Sequence, residues 1–509
     1  MKKILYILML GLFTSCDSWL DVQPETIVSF DNFFQTEQDL ESTLYQLQDY
    51  MNSQLLDLTR QEPAGFIEDG DYRSQLYLWN PSEMLESVAT DWRGIYYVVY
   101  MSNVLLDNVH KASKEVTPER LDYYRAQAYF GKAMAYFFIS RRWGEAPITL
   151  NSTSSEVLGK KPYLEVIDTV IANATRAYKM LPVQADLVDR TGKTITSKQF
   201  GSKGSACALL AHAYAWKGSL IDVMGLEGSS RDCYTEAVKY ATCLIDGDAG
   251  DYSLVRNPET LCELFSDNTK NNPEAIWEFT LDTQSDFIIS AFILAGDFIG
   301  FPVKPEYTVD SYMSRGITYA TVETLYDPDD ARKSAYFSDY EFYKEELGLS
   351  HFVFLNKWRG VLTEADPYDP GSVRTIAFTS NLAYWRLSDF YLLRAECNVK
   401  LGNTEPAQAD LNEIRGFNNA KLYPHSSGDE KGLQYAIFHE RERELLLEGH
   451  RFYDVVRNGV EYVNAYLPGN LAKLTVNEIK DGALFLSIYK SAFNYNDLLI
   501  QNKYWAQFE

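Results

Sequence analysis

Along most of this chain apolar residues recur at the three- and four-residue spacing of amphipathic helices, and one long central stretch breaks that period. The first periodic segment is Asp31 to Met51: Phe33, Phe34, Leu40, Leu44 and Leu47 share a face, and Asp31 is placed to cap it. Trp92 to Val109 follows, with Trp92, Tyr96, Asn103 and Leu106 on or near one stripe. Leu121 to Arg142, LDYYRAQAYFGKAMAYFFISRR, is Ala-rich, carries few β-branched residues and stops at Trp143-Gly144. Tyr163 to Leu181 is helical up to Pro182. The segment 203–217 predicts another helix with Gly218 as its C-cap, and Arg231 to Ile245 pairs back on it.

Residues 203–246 carry a repeat-like pattern through Ala208, Leu209, Ala213, Tyr214, Gly218, Tyr234, Ala237 and Ala241. Residues 386–419 do the same through Leu393, Ala395, Leu401, Gly402, Ala407, Leu411 and Ile414. Small residues alternating with large ones around a Gly turn let two helices approach closely, as tetratricopeptide-type hairpins require. The expected fold is therefore mostly α: a stack of helix pairs embedded in a larger domain. Between the two repeats, about 247–384, the chain is rich in Gly, Asp, Pro, Phe and Tyr, with short β-like pieces at Ala275–Leu281 and Phe352–Trp358. A second irregular stretch, 60–82, is punctuated by Pro63, Gly65, Gly70 and Pro81. Long irregular connections in a compact protein usually carry function, so both are where a ligand is expected.

One segment combines the helical period with dense charge. His439 to Gly459 reads HERERELLLEGHRFYDVVRNG. Glu440, Glu444 and Glu448 recur every fourth residue and share a helix face, with Arg441, Arg451 and Arg457 as candidate counter-charges. Leucines and an aromatic are interleaved with these charges. The pattern therefore predicts a partly buried Arg/Glu lattice that pins the last helices to the rest of the chain.

Composition narrows the chemistry. The 509 residues are 46% hydrophobic and 23% charged, an ordinary globular balance, and 36 are Tyr. The net charge of −24 argues against a phosphate-backbone partner such as nucleic acid. None of the six His has the spacing of a metal motif, and no phosphate loop or nucleophile elbow is present. The sequence thus offers no catalytic, metal or cofactor site. Met1 to Cys16, MKKILYILMLGLFTSC, has a basic start and an apolar run too short to span a bilayer. It reads as a lipoprotein signal, with Cys16 the lipidated residue after cleavage. Of the remaining cysteines, Cys233 and Cys243 fall too far apart on one helix for a bridge, and Cys207 and Cys397 sit on apolar faces. They read as small buried hydrophobes.

Several stretches together resemble the SusD/RagB-like outer-membrane lipoproteins of Bacteroidetes. They are Cys16 with WLDVQP at 19–24, AQAYFGKAMAYFFISRRWGEAPI at 126–148, TSKQFGSKGSACALLAHAYAWKG at 196–218, WRLSDFYLLRAECNVKLGN at 385–403, DLNEIR at 410–415, and the charged stretch 439–459. The tail SIYKSAFNYNDLLIQNKYW at 487–505 departs from the family pattern by losing its first Pro. The resemblance implies a signal peptide at 1–15, a lipidated leader at 16–30 and one domain at 31–509. Within that domain, a scaffold of about four tetratricopeptide-like helix pairs spans about 31–246 and 385–509. A loop-rich ligand lobe spans about 247–384 plus loop 60–82. It also implies a non-enzymatic protein that captures a glycan, or in some branches a peptide, at the cell surface. A SusC-type TonB-dependent transporter is the implied partner, and the charged stretch is implied to be structural.

Sugar recognition needs flat aromatic faces beside amide or guanidinium donors. Loop 60–82 offers Asp71, Tyr72, Arg73, Tyr77, Trp79 and Asn80, with Arg73, Tyr77 and Trp79 favoured because they lie beside Gly70 and Pro81. Loop 283–307 offers Phe287, Phe292, Phe298, Phe301 and Tyr307, and loop 336–344 offers Tyr336, Tyr340 and Tyr343. Trp92, Trp277 and Trp358 are expected in the core.

Overall fold

A computed structural model describes residues 33–60, 68–69, 78–280, 315–365, 367–368, 371, 373–378 and 380–509. The first helix, α1 (Glu37–Tyr50), starts later than its period suggested. Thr36 caps it through a capping box with Asp39, because each side chain satisfies the other residue's backbone N–H. There follow α2 (Arg93–Asn108), α3 (Pro118–Arg142), α4 (Tyr163–Met180), α5 (Lys203–Met224) and α6 (Ser230–Ile245). Beyond the central stretch come α11 (Leu387–Leu401) and α12 (Thr404–Phe417), joined at Gly402 in the left-handed conformation. Each of these helices packs on the next, from α1 through α6 to α11 and α12, forming a row of four helix pairs.

The turn between α5 and α6 differs from expectation. The helix runs past Gly218 and ends at Gly225, which takes φ 67°. A Cβ on Gly218 would lie 2.7 Å from the Tyr234 ring, so this glycine serves the close approach of two helices and not a cap.

The central stretch holds α7 (Pro258–Ser266), α8 (Tyr319–Leu325), α9 (Arg332–Tyr336) and α10 (Tyr340–Leu347). It also holds β1 (Ala275–Phe279), the hairpin β2 (Val361–Ala365) and β3 (Val373–Phe378), and β4 (Leu382–Arg386). β1 pairs antiparallel with β4, both fully buried, and β4 runs directly into α11. The expected strand at 352–358 is reduced to isolated bridges, Thr318 to Phe352 and Phe337 to Leu355. One continuous hydrophobic core reaches from Phe34 to Trp505 and includes Trp92, Trp277 and Trp358, as the sequence predicts. Cys207, Cys233, Cys262 and Cys397 are buried as free thiols, and Cys243 is half-buried.

The charged stretch forms α13 (Leu433–Glu444), a turn, and α14 (Arg451–Asn458), and its charges face inward. Glu440, Glu444 and Glu448 are all buried; Arg443 of the same helix meets Glu440 at 3.1 Å, and the other cations come from other elements. Arg332 on α9 meets Glu440 at 2.8 Å and Glu444 at 2.9 Å. Arg386, the last residue of β4, meets Glu444 at 2.6 Å, Glu448 at 2.8 Å and Glu274 at 2.7 Å. Lys357 adds a 2.5 Å contact to Glu448, and Arg415 on α12 a 3.0 Å contact to Glu440. The arginines expected to serve these glutamates serve other partners. Arg441 bridges Asp389 and Asp454, Arg457 bridges Glu396 and Asp454, and Arg451 meets Glu442. Residues four apart point the same way, so a glutamate face turned inward must be neutralised from across the interface.

This lattice has a pH signature. Burial alone raises the Glu440 carboxyl, but Arg332, Arg415 and Arg443 reverse that and hold it at about 2. Glu444, Glu448 and Asp454 are lowered in the same way, each against its own burial. A carboxyl lowered on folding adds stability that is complete above its ordinary value, 4.5 for Glu, and disappears as pH falls through the folded one. Urea midpoints are therefore expected to decline below about pH 5. A Glu440→Gln variant, weaker at neutral pH, is expected to decline less steeply. Equal slopes for the two proteins would remove Glu440 from this explanation.

Candidate ligand-binding surface

α2 is two-faced. Ile95, Val98, Val99 and Ser102 are buried, while Arg93, Tyr97 and Tyr100, at i, i+4 and i+7, line the outer side. Tyr97 is 54% exposed and Tyr100 47%. Tyr97 stacks on Tyr50 at the end of α1, with ring centroids 5.8 Å apart and planes 27° apart. Asp91, just before the helix, accepts from Arg93 N at 2.9 Å and from Arg93 Nε at 2.7 Å, which fixes the guanidinium at the helix start.

After Tyr50 the chain makes a π-helical turn, Met51–Leu55, a local unwinding often found at functional sites. The turn lays Gln54 against Gly94, where a Cβ would fall 1.9 Å from Gln54 Oε1. A larger residue there would displace the Gln54 amide from this position. The resulting cleft, about 340 Å³, is lined by Gln54, Leu58, Asp91, Arg93, Gly94 and Tyr97, among others. Exposed phenol rings beside an amide, a carboxylate and a guanidinium are what a hydroxyl-rich ligand with apolar ring faces requires.

Described residues of the two stretches singled out in the sequence, 60–82 and 247–384, pair with each other, and the second also touches the π-helical turn. Helix residues 56–60, which follow Gln54, lead into the first. Thr280 lies within the second, and its carbonyl accepts from Asn52 Nδ2 at 2.8 Å. Glu68 and Asp69 of the first pair antiparallel with Gly316 and Arg315 of the second. Asp71, Tyr72, Arg73, Tyr77, Phe287, Phe292, Phe298, Phe301 and Tyr307 lie outside the described residues, as does Cys16.

Trp79 is described, and it corrects the expectation of an exposed ring. It is 2% exposed, packs between Phe452 and Trp505, and donates its indole N–H to Ala483 O at 2.6 Å. A tryptophan whose N–H has a backbone partner is content in a core, and no face of this one is left for a sugar. Asn470 holds the same corner, its backbone N–H donating to Leu78 O and its side chain to Trp79 O. Asn80 caps the short helix Pro81–Glu86. Tyr336 and Tyr340 are likewise buried, Tyr336 under Lys357 and Tyr340 hydrogen-bonded to Glu323, while Tyr343 is half-buried.

Sequence reasoning missed Tyr97, Tyr100, Arg93 and Gln54. It placed Trp92, Tyr96, Asn103 and Leu106 on or near one stripe and passed over the opposite one. The signal was a second set of tyrosines at helical spacing from an arginine.

The comparisons agree with this fold. Residues 350–505 match the family model described as the SusD family, and residues 18–214 match one described as starch-binding, associating with the outer membrane. The SusD-like protein P25 of Formosa agariphila is 23% identical over 503 residues, spanning 90% of this chain and 89% of its own. The SusD-like protein P38 of the same organism is 23% identical over 502 residues, spanning 89% and 90%. The crystal structure of a SusD homolog from Bacteroides thetaiotaomicron shares the fold, with a TM-score of 0.72, 22% identity and coverage of 93% and 99%. NanU of B. fragilis does so with a TM-score of 0.64, 19% identity and coverage of 94% and 99%. With its mostly helical stack, its motifs in family order and these matches at both ends, the chain belongs to the SusD/RagB-like family.

Proposed function

We propose that this protein is a cell-surface lipoprotein that captures an oligosaccharide or polysaccharide and delivers it to a SusC-type TonB-dependent transporter of the outer membrane. The observation that carries this reading is the exposed tyrosine and arginine face of α2 with its adjoining cleft. The family description of starch binding at the outer membrane supports it. We assign the helix-pair scaffold to about 31–246 and 385–509, and ligand recognition to about 247–384 with loop 60–82. Asp71, Tyr72, Arg73 and Tyr77, with Phe292, Phe298 and Phe301, are assigned to contact the same ligand.

Among the described residues no helix is long and apolar enough to cross a membrane. Anchoring is therefore assigned to acyl chains on Cys16, at roughly 0.8 kcal/mol per buried CH₂. The protein acts by binding, and the ligand leaves unaltered.

Tyr97→Ala is the sharpest test. Its ring is half in solvent, so thermal unfolding is expected to stay within a degree or two of the parent, about the effect of a surface substitution. Retention of the protein by a polysaccharide-containing gel is expected to weaken about ten-fold or more as the ring contact is lost. Retention unchanged by Tyr97→Ala, Tyr100→Ala and Arg93→Ala together would move the site elsewhere. Binding of peptides and of no glycan would replace the ligand class, and release of sugar products would make the protein an enzyme.

A further inference from the structure

α5 and α6 run in opposite directions. Passing backwards along α5 from Gly218 through Tyr214 to Cys207, the contacts on α6 advance from Tyr234 to Tyr240. Cys207 is wholly buried, and its Sγ lies 3.2 Å from Tyr240 O. In a helix the carbonyl oxygen of one residue borders the side chain three residues on, which is how a serine or threonine there can bond back to it. The side chain three residues after Tyr240 is Cys243. The two thiols accordingly hydrogen-bond to each other across the helix pair.

The two sulfurs are unequal. Cys243 is half-buried, and the hydrogen bond it accepts from Cys207 lowers its thiol to about 6, with the Tyr178 hydroxyl adding to the effect. Cys207 keeps its proton, its thiol pushed up by that same hydrogen bond and by burial. One sulfur is therefore an anion at neutral pH within reach of solvent, and the other is a thiol enclosed behind it. An exposed thiolate beside a second cysteine is the arrangement of an attacking and a resolving pair.

We propose that Cys207 and Cys243 close a disulfide that braces the third helix pair, α5 with α6, in an oxidising compartment. The oxidant is a disulfide, carried by a thiol–disulfide exchange protein or by glutathione disulfide. The Cys243 thiolate attacks one sulfur of that disulfide, forming a mixed disulfide and releasing the other sulfur as a thiolate. Cys207 then attacks Cys243 Sγ. Its proton passes to the released thiolate, and the second oxidant sulfur leaves as the new Sγ–Sγ bond forms. The two cysteines together lose two electrons, and one oxidant disulfide becomes two thiols. The bond closes residues 208–242 into a loop and so restricts the unfolded chain. Export, as proposed from Met1 to Cys16, supplies the compartment, and nothing in the chemistry draws on the α2 surface.

The test equilibrates the purified chain with mixtures of glutathione and glutathione disulfide, blocks the remaining thiols with iodoacetamide and maps the peptides by mass spectrometry. A peptide pair joined through Cys207 and Cys243 is expected. Reduction of that protein with dithiothreitol is expected to lower its unfolding temperature by about 3–5 °C, the scale of one cross-link in a chain of this size. Cys243→Ser is expected to abolish both the link and the shift. Cys262→Ser is expected to keep both, since that thiol donates instead to Ala335 O, at 3.7 Å. Glutathione left on Cys243 without a link, or both thiols alkylated in the most oxidising mixture, would overturn the bond. A link whose reduction leaves the unfolding temperature unmoved would overturn the brace. Either failure would leave the readings of Cys16 and of α2 standing.

Discussion

An Arg386→Met variant is expected to lose about 3–5 kcal/mol of folding stability, the cost of stranding buried charges. Arg386 is wholly buried, and its guanidinium donates to Glu448 at 2.8 and 2.9 Å, to Glu274 at 2.7 Å and to Glu444 at 2.6 Å. It donates as well to the Glu444 backbone carbonyl at 2.6 Å. Methionine fills the volume but leaves those carboxylates short of their shared cation. Since a domain holds only about 5–15 kcal/mol in all, the variant is expected to unfold at much lower urea, or to accumulate poorly. Adding Glu448→Gln to Arg386→Met is expected to recover part of the loss, because one stranded charge is then neutral. A single variant with the parent's urea midpoint would show that the lattice contributes little, as buried ion pairs sometimes do.

Trp79→Ala is expected to cost a similar amount, about 3–5 kcal/mol for a buried tryptophan, with the Ala483 carbonyl left unpaired as well. The informative comparison is with Tyr97→Ala. Trp79→Ala is expected to lower the unfolding temperature strongly, while the folded fraction, assayed in the cold, binds ligand as the parent does. Tyr97→Ala is expected to do the reverse. A Trp79→Ala protein of unchanged thermal stability that no longer binds would return Trp79 to the ligand surface.

The helices were legible because their apolar spacing is local. α3 was expected at 121–142 and runs Pro118–Arg142, and α4 and α6 agree to within a residue. Gly218 misled because a glycine that admits a neighbouring helix looks, in sequence, like one that ends its own. The hairpin β2–β3 was missed because it pairs only with itself and leaves little alternation to read. Burial of the 439–459 charges was foreseen from the leucines between them, but their partners were not. Arg332, Arg386 and Arg415 are distant in sequence, and only the packed fold brings them there. At the candidate surface, exposure decided between aromatic residues. Trp79 lies near the end of loop 60–82 and Tyr97 within α2, and only the packed fold shows that the first ring is a plug and the second lies open.

The lattice also dictates an order of assembly. Arg332, Arg386 and Arg415 enter the growing chain well before Glu440, Glu444 and Glu448, and none of the three can be neutralised as it will be until α13 exists. The Trp79 corner waits longer still, since it closes on Asn470, Ala483 and Trp505. An amino-terminal portion of this polypeptide therefore lacks the carboxylates that these buried arginines meet in the finished fold. The last seventy residues thus carry both the counter-charges of the buried arginines and the aromatic seal over Trp79, so a chain cut short of them loses the lattice and the corner together.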